Sequence, residues 1–98
     1  MYVQTYIMTR PNSSIPWFSR TEEISRQFGI EKREGRLIFD EFELSHDELS
    51  ATYTAMWDQK ESYQNFIDLP MMKNFREERN VYYNKTGCAI RLISEADV

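Results

Sequence analysis

The chain has 98 residues, a formal net charge of -4 and a single cysteine. This is the length of one small domain, and a content of 41% hydrophobic and 14% aromatic residues is sufficient for a packed core and argues against a disordered chain. Sixteen acidic residues against twelve basic ones, without a long basic run, disfavour binding to nucleic acid phosphates, and the lone Cys88 excludes an internal disulfide.

The N-terminal stretch "MYVQTYIMTR" alternates apolar and polar residues, whereas a signal peptide has a continuous apolar segment. No part of the sequence approaches the roughly 20 consecutive apolar residues of a membrane span. The sequence therefore predicts a cytoplasmic protein with neither nucleic acid nor membrane as a partner.

Residues 2 to 10 alternate in the manner of a first strand, with Val3, Thr5, Ile7 and Thr9 on one side and Tyr2, Gln4, Tyr6 and Met8 on the other. "PNSSIP" ends this strand because proline cannot donate to a sheet ladder. "SRTE" then predicts a helix with Ser19 as N-cap, Ile24 and Phe28 on one face, and Gly29 as its end. Trp17 and Phe18, just before it, either close this helix onto the sheet, which we favour, or form a lip over a pocket or dimer edge.

"RLIFDEFEL" (residues 36–44) reads as a second strand, in which three consecutive apolar residues predict either two covered faces or a bulge. After the turn "SHDE", Leu49 to Trp57 alternate cleanly and form a third strand. The short turn predicts an antiparallel hairpin. The acidic runs "DEFE" and "REER" are interpreted as solvated faces.

Asp58 and Glu61 form a predicted capping box for a second helix, which Pro70 divides into two pieces. The second piece carries Met72, Phe75, Arg79, Tyr82 and Tyr83 and ends at Gly87. "CAIRLIS" follows as a fourth strand, with Cys88 as a buried inert thiol, and "EADV" as a frayed tail.

This order predicts an α+β fold, namely a single ferredoxin-like β-α-β-β-α-β domain over residues 1–98. Its four-stranded antiparallel sheet carries the helices on one face. Both sides of the first strand bear bulky residues, Val3 and Ile7 against Tyr2, Tyr6 and Met8, so we expect a homodimer that packs sheet against sheet. A monomer with a Thr-rich outer face is the alternative.

Residues 50–94, "SATYTAMWDQKESYQNFIDLPMMKNFREERNVYYNKTGCAIRLIS", resemble the second half of the dimeric α+β barrel superfamily, in its antibiotic-biosynthesis monooxygenase-like group. The shared features are a strand ending in tryptophan, a helix with inner Tyr and Phe, a Leu-Pro break, and a second helical piece ending in Tyr and Asn. The first half of the chain matches only in the order of its elements.

The resemblance implies cofactor-free oxygen chemistry by Asn, Trp and His side chains around a pocket between sheet and helices, or haem degradation with a helical His ligand. Trp57 matches the family tryptophan. The only histidine, His46, falls in the turn between strands two and three, which does not suit a haem ligand. His46 and Asn84 are the candidates for catalytic polarity, and the sequence predicts no cofactor or metal.

An aromatic cluster is the candidate ligand site: Tyr53, Trp57, Tyr63 and Phe66, with Tyr82 added from the following helix. These residues form either an aromatic core or the walls of a small apolar pocket with tyrosine hydroxyls as polar contacts. Two functions follow. The protein binds a small hydrophobic or aromatic molecule or serves as an interaction module; alternatively, it is a cofactor-independent monooxygenase or isomerase of a small aromatic compound.

Overall fold

The computed structural model describes residues 1–98, which form four strands and three helices: β1 (Tyr2–Thr9), α1 (Glu22–Arg33), β2 (Leu37–Leu44), β3 (Ser50–Trp57), α2 (Lys60–Ile67), α3 (Pro70–Thr86) and β4 (Ala89–Asp97). The strands form one sheet in the order β2-β3-β1-β4, and every neighbouring pair is antiparallel. This confirms the predicted ferredoxin-like arrangement. None of the helices combines the length and the apolar character required to cross a bilayer.

Helix α1 begins and ends later than predicted. Its N-cap is Thr21, whose hydroxyl accepts a hydrogen bond from the backbone N–H of Ile24 at 3.2 Å, so Ser19 lies outside the helix. Gly29 lies inside the helix and does not end it. The helix continues because the carboxylate of Glu31, which is 4% exposed, accepts two hydrogen bonds from Arg36, at 2.8 and 2.9 Å. This contact outweighs the modest cost of a glycine within a helix.

The apolar run at the start of β2 contains a bulge. Leu37 pairs with Trp57 while Phe39 pairs with Met56, so Ile38 is the additional residue. Ile38 is 51% exposed in the single chain, and the bulge accounts for one of the two alternatives offered for the three consecutive apolar residues. The predicted β2–β3 hairpin is confirmed.

The break at Pro70 is also confirmed, since this residue is the first of α3, where a missing N–H costs nothing. Gly87 ends α3 with a left-handed φ of 79°, as glycine favours. The prediction of a capping box that begins at Asp58 is wrong. The N-cap of α2 is Gln59, because the N–H of Asp58 still bonds to the Arg36 carbonyl at 2.8 Å and holds that residue at the sheet.

The acidic C-terminal segment is part of β4, so the predicted fraying is wrong. Glu95, Ala96 and Asp97 pair with residues 4, 3 and 2 of β1. The hydroxyl of Tyr2 donates to Glu95 Oε2 at 2.6 Å; burial, then this acceptor, raises the pKa of Tyr2 to about 12. Backbone pairing with the central strand β1 therefore orders residues 95–97, although their acidic composition is typical of a frayed tail.

The core lies between the sheet and the helices, and its buried members come from both: Tyr2, Ile24, Leu37, Ala55, Trp57, Phe66 and Met72. On the outer face of the sheet, the two central strands present Val3, Thr5, Ile7, Thr52, Thr54 and Met56, which pair across β1 and β3. None of these outer residues is charged.

Candidate functional site

A cavity of about 430 Å³ lies between the sheet and the helices. Its walls are mainly hydrophobic. From the sheet come Gln4, Tyr6, Met8, Tyr53, Ala55 and Trp57, and from the helices come Tyr63, Phe66, Ile67, Met72, Phe75 and Tyr83. The core is thus not completely filled by side chains at this point.

Four of the five predicted ligand-binding residues line the cavity: Tyr53, Trp57, Tyr63 and Phe66. Trp57 is only 2% exposed, and its ring lies 5.2 Å from that of Phe66 and 5.8 Å from that of Tyr63, between centroids. The aromatic cluster is therefore both a core element and a cavity wall, so the two alternatives from the sequence coexist.

Tyr82 does not line the cavity. Its hydroxyl donates to the carbonyl of Pro16, and its ring packs 5.5 Å from Phe18. Its neighbour Tyr83, which is 7% exposed, faces the cavity instead. Successive helical residues are rotated by about 100° around the axis, so only one of the two tyrosines can face inward.

The two candidate catalytic residues, His46 and Asn84, lie away from the cavity. His46 is exposed in the turn between β2 and β3, and Asn84 is exposed on α3. Neither side chain is among those that line the cavity. The structure therefore does not bring them together with Trp57.

The polar groups of the cavity come instead from Tyr63, which the sequence placed in the ligand site, and from Gln4 and Tyr6, which it did not. The hydroxyls of Tyr6 and Tyr63 lie 3.1 Å apart, and Gln4 Nε2 donates to Tyr6 at 3.3 Å. Burial, followed by the neighbouring Tyr63 hydroxyl, raises the pKa of Tyr6, so this phenol stays protonated near neutral pH. In the sequence, the only available signal was a polar Gln4 among the bulky residues of the first strand; the structure buries it to 2% exposure.

Comparison with known proteins establishes the fold. No protein-family model and no curated protein sequence matches the chain. A dimeric ferredoxin-like protein from an uncultured marine organism superposes with a TM-score of 0.64 at 16% identity, covering 100% of this chain and 94% of the other. The fold is ferredoxin-like.

A second solved structure agrees with this result. It is a protein from Deinococcus radiodurans provisionally assigned as an antibiotic biosynthesis monooxygenase, and it superposes on the ferredoxin-like domain with a TM-score of 0.65 at 7% identity. The match covers 100% of this chain and 92% of the other. The structural resemblance predicted from residues 50–94 is confirmed at the level of the fold.

Trp17 and Phe18 occupy different places in the ferredoxin-like domain. Phe18 lines the cavity and its ring lies 5.2 Å from that of Phe75 on α3, so it does not close α1 onto the sheet. Trp17 packs edge-on against Phe42 of β2 at 6.4 Å, with the Arg10 guanidinium 4.5 Å from its centroid. Phe18 therefore acts as the lip that the sequence offered as the alternative.

Asp40 of β2 is not a solvated acid, in contrast to the interpretation of the "DEFE" run. Its side chain is 10% exposed, it accepts a hydrogen bond from the Tyr53 hydroxyl at 2.9 Å, and Lys32 Nζ lies 2.6 Å away. Arg20 Nη2 is a third partner at 3.5 Å. Burial alone would raise the pKa of Asp40, but these partners outweigh it and hold the pKa below its ordinary value of 3.8.

We expect Asp40 to make stability dependent on acidic pH. A carboxyl whose pKa is lowered by folding stabilises the domain above its unfolded pKa, and this contribution disappears as the pH falls through the folded value. At pH 7, Asp40→Asn should lower the free energy of unfolding by about 1 kcal/mol, because Lys32 is half exposed and water weakens the pair.

Urea denaturation at a series of pH values checks this expectation. The difference between wild type and Asp40→Asn should shrink as the pH falls below 3.8. Glu41→Gln, on the exposed neighbouring position, is the matched control and should change stability little at any pH. An Asp40→Asn difference that stays constant down to the acidic limit would contradict the role of the charge.

Proposed function

We propose that this domain binds a small hydrophobic or aromatic molecule in the cavity between the sheet and the helices. The cavity itself is the observation that supports the proposal: about 430 Å³ falls within the range of small-molecule sites, roughly 300–1,000 Å³. Aromatic side chains dominate its walls, and the hydroxyls of Tyr6 and Tyr63 supply a small number of polar contacts.

A cofactor-independent monooxygenase or isomerase acting on a small aromatic compound is the second candidate. The cavity reaches Trp57, the residue that matches the tryptophan of the resembling family. The solved structure from Deinococcus radiodurans, with its provisional monooxygenase assignment, favours the same activity. Gln4, Tyr6 and Tyr63, and not His46 or Asn84, are then the polar groups within reach of a substrate.

We also propose that the domain is a homodimer in the cytoplasm that associates through the outer face of the sheet. The central strands present uncharged residues there, including Val3, Ile7 and Met56, and no helix covers them. A neighbouring solved structure is described as dimeric. Sedimentation velocity at micromolar concentration tests the proposal, because the dimer has twice the 11.8 kDa mass of one chain. The cytoplasmic location remains a prediction from the single cysteine.

Filling the cavity is the test of ligand binding. N-phenyl-naphthylamine, a neutral apolar dye whose fluorescence rises in apolar surroundings, serves as the probe. We expect saturable binding to wild type and a loss of roughly tenfold or more in affinity for Ala55→Phe, because the new ring occupies the space that the dye needs.

Ser25→Phe is the matched control, since it adds the same ring at an exposed position on α1 that does not line the cavity. It should bind the dye as wild type does, with circular dichroism confirming that each variant is folded. If Ala55→Phe does not fold, Ile90→Trp on β4 fills the cavity from its other side. Equal dye affinity in wild type and the filled variants would refute the site.

A further inference from the structure

The charges around the cavity are all of one sign. Three arginine side chains line it, Arg20, Arg76 and Arg79, and no aspartate, glutamate or lysine does. Arg91 also borders the cavity, but it pairs with Ile7, so its side chain lies on the outer face of the sheet. The chain as a whole is acidic, with a net charge of -4. Local charge of the opposite sign to the whole molecule attracts an anion to that place.

Two of these three arginines lack a carboxylate partner. Arg20 has Asp40 at 3.5 Å, but no acidic oxygen lies within 4 Å of Arg76 or Arg79. Arg76 Nη1 donates to the carbonyl of Ile67 at 2.8 Å. Arg76 and Arg79 are thus not neutralised by an acidic side chain of this chain.

Arg79 is the least satisfied of them. Its Nε is buried and has no hydrogen-bond partner, and the only polar contact of its guanidinium is a long one, from Nη2 to Asn80 Oδ1 at 3.4 Å. Burial lowers the pKa of Arg79, the Tyr83 hydroxyl opposes this, and the neighbouring Arg76 lowers it further. A partly buried cation with an incomplete hydrogen-bond shell is costly unless an anion completes it.

We propose that the cavity binds an aromatic carboxylate, with the carboxylate on the Arg79 guanidinium and the ring against Trp57 and Phe66. The inference rests on the proposed ligand-binding function and defines its ligand class. A planar guanidinium matches the two oxygens of a carboxylate. The volume of about 430 Å³ accommodates one or two fused rings. A monoanion suits walls in which 16 of 21 residues are hydrophobic, because a phosphate dianion is harder to desolvate.

Calorimetric titration with two matched probes tests the charge requirement on the full chain. Naphthalene carboxylate carries the anion, and naphthalene carboxamide has nearly the same shape but is neutral. We expect wild type to bind the carboxylate roughly tenfold more tightly or better, since a hydrogen bond to a charged group exceeds a neutral one by about that factor.

Substitution of Arg79 locates the effect. Arg79→Met should reduce carboxylate affinity to that of the carboxamide and leave carboxamide affinity unchanged, whereas Arg79→Lys should retain part of the preference. Arg33→Met removes the same charge from an exposed position on α1 and should keep the full preference. Unchanged carboxamide binding also shows that the Arg79 variants are folded; if Arg79→Met is unfolded, Arg79→Gln takes its place.

Each other outcome overturns a defined part of the proposal. Equal binding of the two probes by wild type refutes the anionic ligand and leaves the proposed function intact. If wild type binds neither the two probes nor the neutral dye, both the anionic ligand and the proposed function are refuted. A carboxylate preference that survives in Arg79→Met refutes the assignment to Arg79. Tighter binding of naphthyl phosphate than of the carboxylate refutes the ligand class.

Discussion

Trp57→Ala is expected to lower the free energy of unfolding by about 3–5 kcal/mol, the usual cost of removing a buried aromatic side chain. Trp57 is 2% exposed, stands opposite both Tyr2 and Leu37 in the sheet, and packs on Phe66 of α2. The ring therefore joins the two central strands to the helical layer. Since small domains have a total stability of about 5–15 kcal/mol, much of the variant should be unfolded at 37 °C. Urea denaturation followed by circular dichroism measures the loss.

Two further substitutions make this measurement interpretable. Trp57→Phe should retain most of the stability because a second aromatic ring still contacts Phe66. Trp17→Ala removes the same side chain from a partly exposed site outside the buried core and should cost far less than Trp57→Ala. A loss below about 1 kcal/mol for Trp57→Ala would show that Trp57 is mainly a ligand contact, since a core role requires the larger value.

Thr54→Arg is expected to convert the proposed dimer into monomers. Thr54 lies on the outer face of β3, and its hydroxyl is 3.3 Å from that of Thr5 on β1, at the middle of the sheet. Sheet-to-sheet packing would bury a large arginine from each protomer, and although Glu41 lies opposite position 54 on β2, both charges would have to be desolvated, which should raise the dissociation constant roughly 100-fold or more. Sedimentation velocity should then give a mass near 11.8 kDa under conditions in which wild type has twice that mass.

Ser25→Arg is the matched control, because it adds the same charge to an exposed position on α1, on the helical side of the domain. It should remain dimeric. A wild-type mass near 11.8 kDa at micromolar concentration would refute the dimer itself. A Thr54→Arg protein that stays dimeric would place the interface on a different surface.

The residues that stabilise the fold and the residues proposed to bind a ligand line the same cavity and overlap only in part. Trp57 and Phe66 stabilise the fold as well as forming a wall, so their replacement changes both properties. Arg79 has no acidic partner and its buried Nε has no hydrogen-bond partner, so its charge is offset only by a distant Tyr83 ring at 5.9 Å and a long contact to Asn80; such locally unfavourable groups are typical of functional sites. Substitutions at Arg79 therefore separate ligand recognition from folding better than those at Trp57.

Local patterns predicted most of the architecture because they act over a few residues. Alternation placed Tyr53, Ala55 and Trp57 on one face of β3, Pro70 divided the second helix, and Gly87 ended it. Backbone geometry and side-chain direction determine these features directly. The boundaries that were wrong, at Gly29 and in the C-terminal segment, depend on contacts with residues outside the element itself.

The sequence by itself therefore determined the order of the elements, the fold class and the aromatic wall formed by Trp57 and its neighbours. Only the tertiary structure decided that a cavity remains beside that wall, that Tyr83 and not Tyr82 faces it, and that Arg79 lines it without an acidic partner. The physical reason is that charge compensation and packing are sums over neighbours in space. Gln4 and Arg79 are 75 positions apart in the chain, and no local pattern reveals that they line the same cavity.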